Sequence, residues 1–398
     1  MSVRLSRPGL VSALGVGLEE TRERLFAGDT SGMVAEKGWL RGDATARVGK
    51  FAGALPMLPH LPGSDWHRRH NSRNNRLLLA AFAQIEDDFR ALCERFGPTR
   101  IGVVLGTSTS GIAEGEAAIA AHAHHGEFPA GFAYEQMEIG DPAIFLAQHL
   151  GLLGPAYTVS TACTSGGKAL VSARLLIEAG FCDAVITGGV DSLCRLTLGG
   201  FTALESTTPA LCQPLSRNRC GINIGEAAAL FLMARDVGPV ALLGVGESSD
   251  AHHISAPEPE GRGAEAAMRV ALADAGLTPA EIGYLNLHAT ATPKNDAMES
   301  LAVARVFPEG VPVSGTKPLT GHALGAAGAL EAAFCWLALT DPAGRLPPHV
   351  WDGAVDPELP RLDTVSVGCC FTAGRRVAMS NSFAFGGNNL SLIFGSVA

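Results

Sequence analysis

The sequence predicts an α/β fold with mostly parallel strands, built from two duplicated halves. Three observations lead there. Short apolar runs alternate with longer helix-like stretches along the whole chain. A unit of strand, small-residue turn and Ala/Leu-rich helix occurs twice, at 158–179 and at 312–339. The chain has 398 residues, 47% hydrophobic and 17% charged, more than one compact core usually holds and far too apolar for a disordered chain.

Taken in order, strands are expected at 100–106 (RIGVVLG), 156–161, 183–187 and 228–233, and then at 282–287, 311–314, 377–382 and 390–394. Helices are expected at 75–95, 165–179, 264–275, 296–306 and 322–339. The join between halves falls near 235–240, where charge and Gly-Pro interrupt the pattern, giving units of 1–238 and 239–398. The Pro- and His/Arg-rich stretch 56–76 reads as a surface excursion.

Composition narrows the function. Lys plus Arg is 30 and Asp plus Glu is 39, a net charge of −9, which with 6% aromatics argues against nucleic-acid binding. The nine scattered cysteines form no CxxC pair, which points to a reduced cytoplasmic chain rather than a disulfide or structural zinc framework. The first fifteen residues hold no signal-peptide-like apolar run, and the most apolar stretch, 323–339, contains Glu331 and two glycines, so no membrane insertion is expected.

Most free cysteines are small buried hydrophobes, and that reading suits Cys182, Cys335 and the others. Cys163 differs. It sits in TVSTACTSGG, directly after a strand and before a helix, where unpaired N–H groups and the helix dipole are expected to lower its pKa. His288 ends a strand in LNLHATATPKND, and His322 stands at a helix start in SGTKPLTGHALGAAG, five positions after Lys317. The carboxyl ends of parallel strands are where α/β proteins place ligands. A cysteine with two histidines fits a Cys–His hydrolase, a metal site or a condensing enzyme. No acidic pattern behind the histidines supports the metal, so none is expected. His122, His124 and His125 read as surface histidines.

An ordered set of motifs runs from PGLVSALG (8–15) through GTSTSG (106–111), STACTSGG, GGVDSL, GGFTAL, NIGEAAALF (223–231) and HATATPKND to GTKPLTGHALGAAGALE (315–331) and SNSFAFGGNN (380–389). By these the chain resembles the β-ketoacyl-acyl carrier protein synthases of the thiolase superfamily, of the elongating Cys-His-His type. The resemblance implies a thiolase-like fold whose two halves have mixed, mainly parallel five-stranded sheets sandwiching buried helices. It implies Cys163 as the acyl-accepting nucleophile, His288 and His322 as the pair that assists malonyl decarboxylation, and Lys317 and Glu331 as their polar support. Phe385 would be the gate, its backbone N–H joining that of Cys163 in an oxyanion hole. Thr290, Thr292, Phe383 and Gly386 would contact substrate. No cofactor is implied, because substrates ride on the 4'-phosphopantetheine of an acyl carrier protein.

The same resemblance implies a homodimer, or a heterodimer with a chain-length-factor-like homologue. The arginines of WHRRHNSRNNR, namely Arg68, Arg69, Arg73 and Arg76, would dock the acidic carrier, set against the ordinary reading of a solvated charge run. RNNRLLLAAFAQI (73–85) and NIGEAAALF resemble, within the family, the synthases of aryl polyene pigment clusters. Three departures stand out. Ala289 and Ala291 replace usual glycines, so the backbone there is expected to avoid positive φ. Ala384 replaces the glycine before the gate, and Ser216 and Cys220 stand where aspartates are common. A non-condensing partner subunit and a Cys–His acyl hydrolase or transferase are the competing functions. The intact Cys, His, His and Lys set weighs against the first, and the second His against the other.

Overall fold

A computed structural model describes residues 3–42, 44–59, 64–372 and 376–397. The first half contributes β1 (Gly9–Ser12), β2 (Ile101–Gly106), β3 (Ala156–Val159), β4 (Ala184–Asp191) and β5 (Ala227–Ala234). They lie side by side in the order β3-β2-β4-β5-β1. The first two pairings are parallel and the last two antiparallel.

The second half contributes β6 (Val240–Ser249), β7 (Tyr284–Asn286), β8 (Pro312–Ser314), β9 (Val377–Ala384) and β10 (Asn388–Ser396). Their order is β8-β7-β9-β10-β6, with the same sequence of parallel and antiparallel pairings. Numbered within each half, both sheets therefore read 3-2-4-5-1, and in each all strands but one point the same way. The two-residue strand Arg4–Leu5 pairs with both β5 and β6 and joins the sheets edge to edge. A separate small sheet, Met33–Glu36, Ala46–Gly49 and Ile224–Gly225, lies outside this frame.

The helices that matter here are α1 (Arg73–Phe82), α2 (Ile112–His125), α3 (Asp141–His149), α4 (Ser165–Glu178), α5 (Arg195–Ala203), α6 (Arg262–Ala275), α7 (Pro293–Val306) and α8 (Ala327–Thr340). The equivalent helices α4 and α8 pack on each other between the two sheets, while α1 and α3 cover the outer face of the first sheet and α6 and α7 that of the second. Burial explains the sequence of α8, AGALEAAFCWLALT, which is apolar on every side because every side meets protein.

Two expectations fail for identifiable reasons. The single helix at 75–95 is two, Arg73–Phe82 and Glu86–Phe96. Between them the Gln84 side-chain amide pairs with Leu10 like a strand residue. Its Nε2 donates to the Leu10 carbonyl and its Oε1 accepts the Leu10 N–H, both at 2.9 Å. The strand β6 is not among the expected strands, and its sequence VALLGVGESS carries two glycines, Gly244 and Gly246. Here they are what lets α6 ride directly on the strand. A Cβ on Gly246 would stand 1.9 Å from the Ala267 carbonyl oxygen and 2.4 Å from the Ala271 nitrogen. Of the excursion 56–76, residues 60–63 lie outside the described residues, and Trp66–His70 is a short helix. Among the described residues no helix is long and apolar enough to cross a membrane.

Gly246→Ala should therefore push α6 off the sheet and cost about 1–3 kcal/mol, read as a lowered denaturation midpoint with an unchanged slope. A variant as stable as the parent would show that the helix–strand contact carries no such constraint.

Candidate active site

Three loops from three parts of the chain deliver the candidate residues. Cys163 lies between β3 and α4, in a turn that puts Ala162 at φ 53° and that is tied by Ser165 Oγ donating to the Ala162 carbonyl at 2.5 Å. His322 is held by backbone on both sides: its N–H donates to the Asn223 carbonyl at 2.7 Å, and its carbonyl accepts the Gly225 N–H at 2.9 Å. It precedes α8 by five residues, rather than starting a helix as expected. His288 follows β7, with its N–H on Glu299 Oε1 at 2.8 Å. The central helices can meet this closely because a Cβ on Gly328 would stand 2.8 Å from the Gly167 nitrogen.

The result is one compact centre. His322 Nε2 is 3.0 Å from Cys163 Sγ, and the two imidazole rings are 5.2 Å apart and nearly perpendicular. Cys163, His288, His322, Lys317 and Glu331 are all buried. Lys317 Nζ donates to the His288 carbonyl and to Glu331 Oε1, the latter at 2.5 Å, and lies 3.5 Å from His288 Nδ1. An ammonium only donates, so His288 Nδ1 is the acceptor and its ring proton sits on Nε2.

Burial dominates the electrostatics. It pushes the Cys163 thiol up to about 12, against the downward pull of Lys317 and of the Phe385 backbone N–H. The expected lowering at the helix start is thus reversed, because desolvating a thiolate here costs more than the helix dipole returns. Burial, reinforced by Lys317, holds both His288 and His322 well below the ordinary 6.5, so both imidazoles are neutral. The site at rest is a neutral thiol beside two neutral imidazoles. The sulfur and the two rings offer ligand atoms within 4.8 Å of one another, a spacing a metal would accept. The adjacent Lys317 ammonium and the raised thiol both oppose a dication there.

Cys163, His288, His322, Thr290, Thr292, Phe383 and Phe385 line one cavity. Lys317 and Glu331 are buried behind His288 and do not line it. Gly386 is not among the lining residues either. It forms the turn between β9 and β10 at φ 85°, with its N–H on the Ile254 carbonyl at 2.8 Å. Phe385, the expected gate, packs against Phe201 of α5, ring centroids 5.3 Å apart.

The arginines are apart from this centre and are not equivalent. Arg73 turns inward to the fully buried Glu226 at 2.5 Å, so it is a structural ion pair rather than a docking residue. Arg68 and Arg69 share Asp65 at 3.2 and 2.9 Å, and Arg76 donates to Asn71 Oδ1.

Two further expectations need correcting. Ala289 and Ala291 do adopt positive φ, 39° and 64°. The loop is held there by two carboxylates one turn apart on α7. Glu299 accepts the His288 and Ala289 N–H groups at 2.8 and 2.7 Å, and Asp296 accepts the Ala291 and Leu215 N–H groups at 3.1 and 2.9 Å. The carboxylate missing at Ser216 is supplied from elsewhere, since Ser216 Oγ donates to Asp352 at 2.8 Å. Sequence reading missed Glu299, Asp296 and Asp191. The last ends β4 and accepts hydrogen bonds from Thr107, Ser108, Thr109 and Gly325. The available signal was a lone acid within an apolar motif in GGVDSL, and acids at i and i+3 directly after HATATP.

Comparison with known proteins places this geometry. The sequence profile of the β-ketoacyl synthase N-terminal domain matches residues 41–237, and that of the β-ketoacyl synthase C-terminal domain matches 240–350. Nodulation protein E of Rhizobium meliloti is 38% identical over 272 residues, 63% of this chain and 64% of that protein. The 3-oxoacyl-[acyl-carrier-protein] synthase 2 of Staphylococcus aureus is 36% identical over 262 residues, 62% of this chain and 64% of that protein. The matched stretch thus spans less than two thirds of these relatives. Among solved structures, the ketosynthase ApeO in complex with its chain length factor ApeC, from Xenorhabdus doucetiae, superposes with a TM-score of 0.93 at 46% identity over 100% of this chain and 98% of that one. With the two profiles covering consecutive stretches of both halves, and the Cys–His–His centre assembled between those halves, the chain belongs to the β-ketoacyl synthase family.

Proposed function

We propose that this chain is a condensing β-ketoacyl-acyl carrier protein synthase, joining a Cys163-bound acyl group to malonyl carrier with loss of CO₂. The observation that carries it is the 3.0 Å contact of a neutral His322 with the Cys163 thiol, next to a second neutral imidazole whose proton is directed by Lys317. A hydrolase base needs an acid oriented behind it. His322 Nδ1 has no partner among the described residues, and His288 is backed by a cation.

In the first step Cys163 Sγ attacks the carrier thioester and its proton passes through His322 Nε2 to the departing carrier thiolate. The backbone N–H groups of Cys163 and Phe385 face the oxyanion. In the second step the malonyl C–C bond breaks, CO₂ leaves, and the electron pair spreads onto the thioester oxygen. His288 donates its Nε2–H to that enolate, and His322 adds a second donor once its single proton has moved from Nδ1 to Nε2, which neutral imidazoles do without competing charge. The new carbon then attacks the acyl-Cys carbonyl and expels the Cys163 thiolate, which takes a proton from solvent to restore the thiol. Atoms and charge balance with no redox partner, so the reading needs no cofactor beyond the carrier's 4'-phosphopantetheine. The work divides along the repeat, with the nucleophile in 1–238 and both imidazoles in 239–398.

The reading extends to partners. Among the described residues strand β3 pairs on one side only, with β2, and its other edge is open, with Tyr157 of the strand exposed. An open apolar edge is a pairing surface. Since the relative ApeO is solved with its chain length factor, a heterodimer with a homologue of that kind is favoured over a homodimer. Arg68, which is exposed, and the half-buried Arg69 and Arg76 remain the arginines for carrier docking. The setting is cytoplasmic synthesis of a fatty acid or polyketide, with an aryl polyene product as the specific case.

Cys163→Ala should abolish condensation yet still release CO₂ from malonyl carrier, whereas His322→Ala should keep an acyl adduct on Cys163 by intact mass while decarboxylation falls by about 10²-fold or more. A folded, partnered protein that never acquires an acyl adduct on Cys163 would sink the enzymatic reading. The decarboxylation rate should show no inflection near pH 6.5, because neither imidazole titrates there. Stability follows the same depression. Below 6.5 the unfolded chain binds protons that the folded site refuses, so stability is lost as pH falls from 6.5 toward the folded values and these two residues add no slope above it. Arg69→Glu should raise KM for carrier-bound substrates and leave small pantetheine thioesters unaffected. An equal loss with both would make the patch structural.

A further inference from the structure

Alternate residues of the HATATPK segment line the catalytic cavity in a graded series. His288 is 1% exposed, Thr290 7%, Thr292 is half-buried and Lys294 is exposed, and all four face the same cavity. The segment thus runs from the reacting centre to the rim, with a side chain facing the opening at every second position. Its chemistry changes in step: an imidazole, two hydroxyls 2.9 Å apart, then an ammonium.

Lys294 is the one lysine or arginine among the residues lining this cavity. Among the described residues it has no ion-pair partner. The one acid in the lining, Asp250, is committed elsewhere, accepting Asn389 Nδ2 at 2.7 Å and the Glu258 N–H at 3.1 Å. Lys294 is the second residue of α7, so the positive end of that helix adds to its field. A cation without an ion-pair partner at the rim, in a cavity whose one acid is held by other donors, is a receptor for an anion on the outer end of whatever enters.

A pantetheine arm has the matching order of groups: a thioester at one end, two amides along its length, and a phosphoryl group at the other. We infer that Lys294 anchors that phosphoryl group, whether it is esterified to a carrier protein or part of coenzyme A. The inference rests on the condensing reading for the identity of the arm, and it adds a specificity element for phosphorylated over unphosphorylated pantetheine. Its energy is that of a solvent-exposed charge pair.

The test uses full-length protein and two soluble probes, 4'-phosphopantetheine and pantetheine, with their malonyl thioesters. By calorimetry the parent should bind the phosphorylated probe about fivefold more tightly, the preference shrinking with added salt. Lys294→Glu should erase the preference and Lys294→Arg should restore it. In turnover, Lys294→Glu should raise the KM ratio of phosphorylated to unphosphorylated thioester by about the same factor without a matching fall in kcat. Carrier and coenzyme A thioesters then distinguish the source: a KM rise with both marks a general phosphoryl anchor, and a rise with the carrier alone marks the protein-linked arm. A binding preference that survives Lys294→Glu, or that is absent in a parent that condenses, overturns the anchor and leaves the condensing reading standing. A parent that shows the preference but condenses no thioester keeps the anchor and overturns the condensing reading.

Discussion

The geometry of the site depends on one buried carboxylate, that of Asp191. It is fully enclosed at the end of β4, where an unpaired charge would cost several kcal/mol, and it is kept there by donors on all sides. Thr107 and Ser108 hydroxyls reach it at 2.5 Å, and the Ser108 and Thr109 N–H groups at 2.8 and 2.9 Å. These fix the loop after β2. The Gly325 N–H, at 2.5 Å, comes from the other half of the molecule, three residues after His322. One carboxylate therefore ties the half that carries Cys163 to the half that carries the imidazoles at the point where they meet. The close Cys163–His322 contact is as well defined as that tie allows.

Charge is kept at a distance from the reacting atoms. The thiol and both imidazoles are neutral, and the nearest full charges, Lys317 and Glu331, compensate each other in a 2.5 Å pair behind His288. Lys317 thus meets His288 rather than the cavity: it lies against the ring's Nδ1 and helps burial to hold its pKa down. The same separation holds at larger scale. Arg73, which by sequence belongs to a basic surface run, is drawn instead to Glu226, whose other contacts are the N–H groups of Phe51 and Leu193.

The sequence made visible those features whose cause is local. The α/β class, the repeat of strand, turn and buried helix, and the positions of Cys163, His288 and His322 all follow from short patterns in which each residue type serves one neighbour. What escaped depends on partners distant in the chain. Gly244 and Gly246 show their purpose only when a helix is laid over them. Gln84 looks helical until Leu10 offers it a strand-like partner. Glu299 and Asp296 look like an ordinary acidic first turn and a half until the loop before them needs acceptors. The thiol of Cys163 was misjudged for the same reason, since a helix start is readable in sequence and complete burial is not.

The loop that carries His288 has a shape its own residues do not favour. Two alanines in the left-handed region each work against local preference by about 1 kcal/mol or more, so this stretch cannot serve as a starting point for folding. It can settle only once α7 has formed and presents Glu299 and Asp296, and once Leu215 has arrived to share the second carboxylate. Closure of the Cys–His–His centre is therefore a late property of the folding chain. A partly folded molecule could bring Cys163 and His322 together and still lack the second imidazole, so the three-residue centre closes only when the architecture around it is complete.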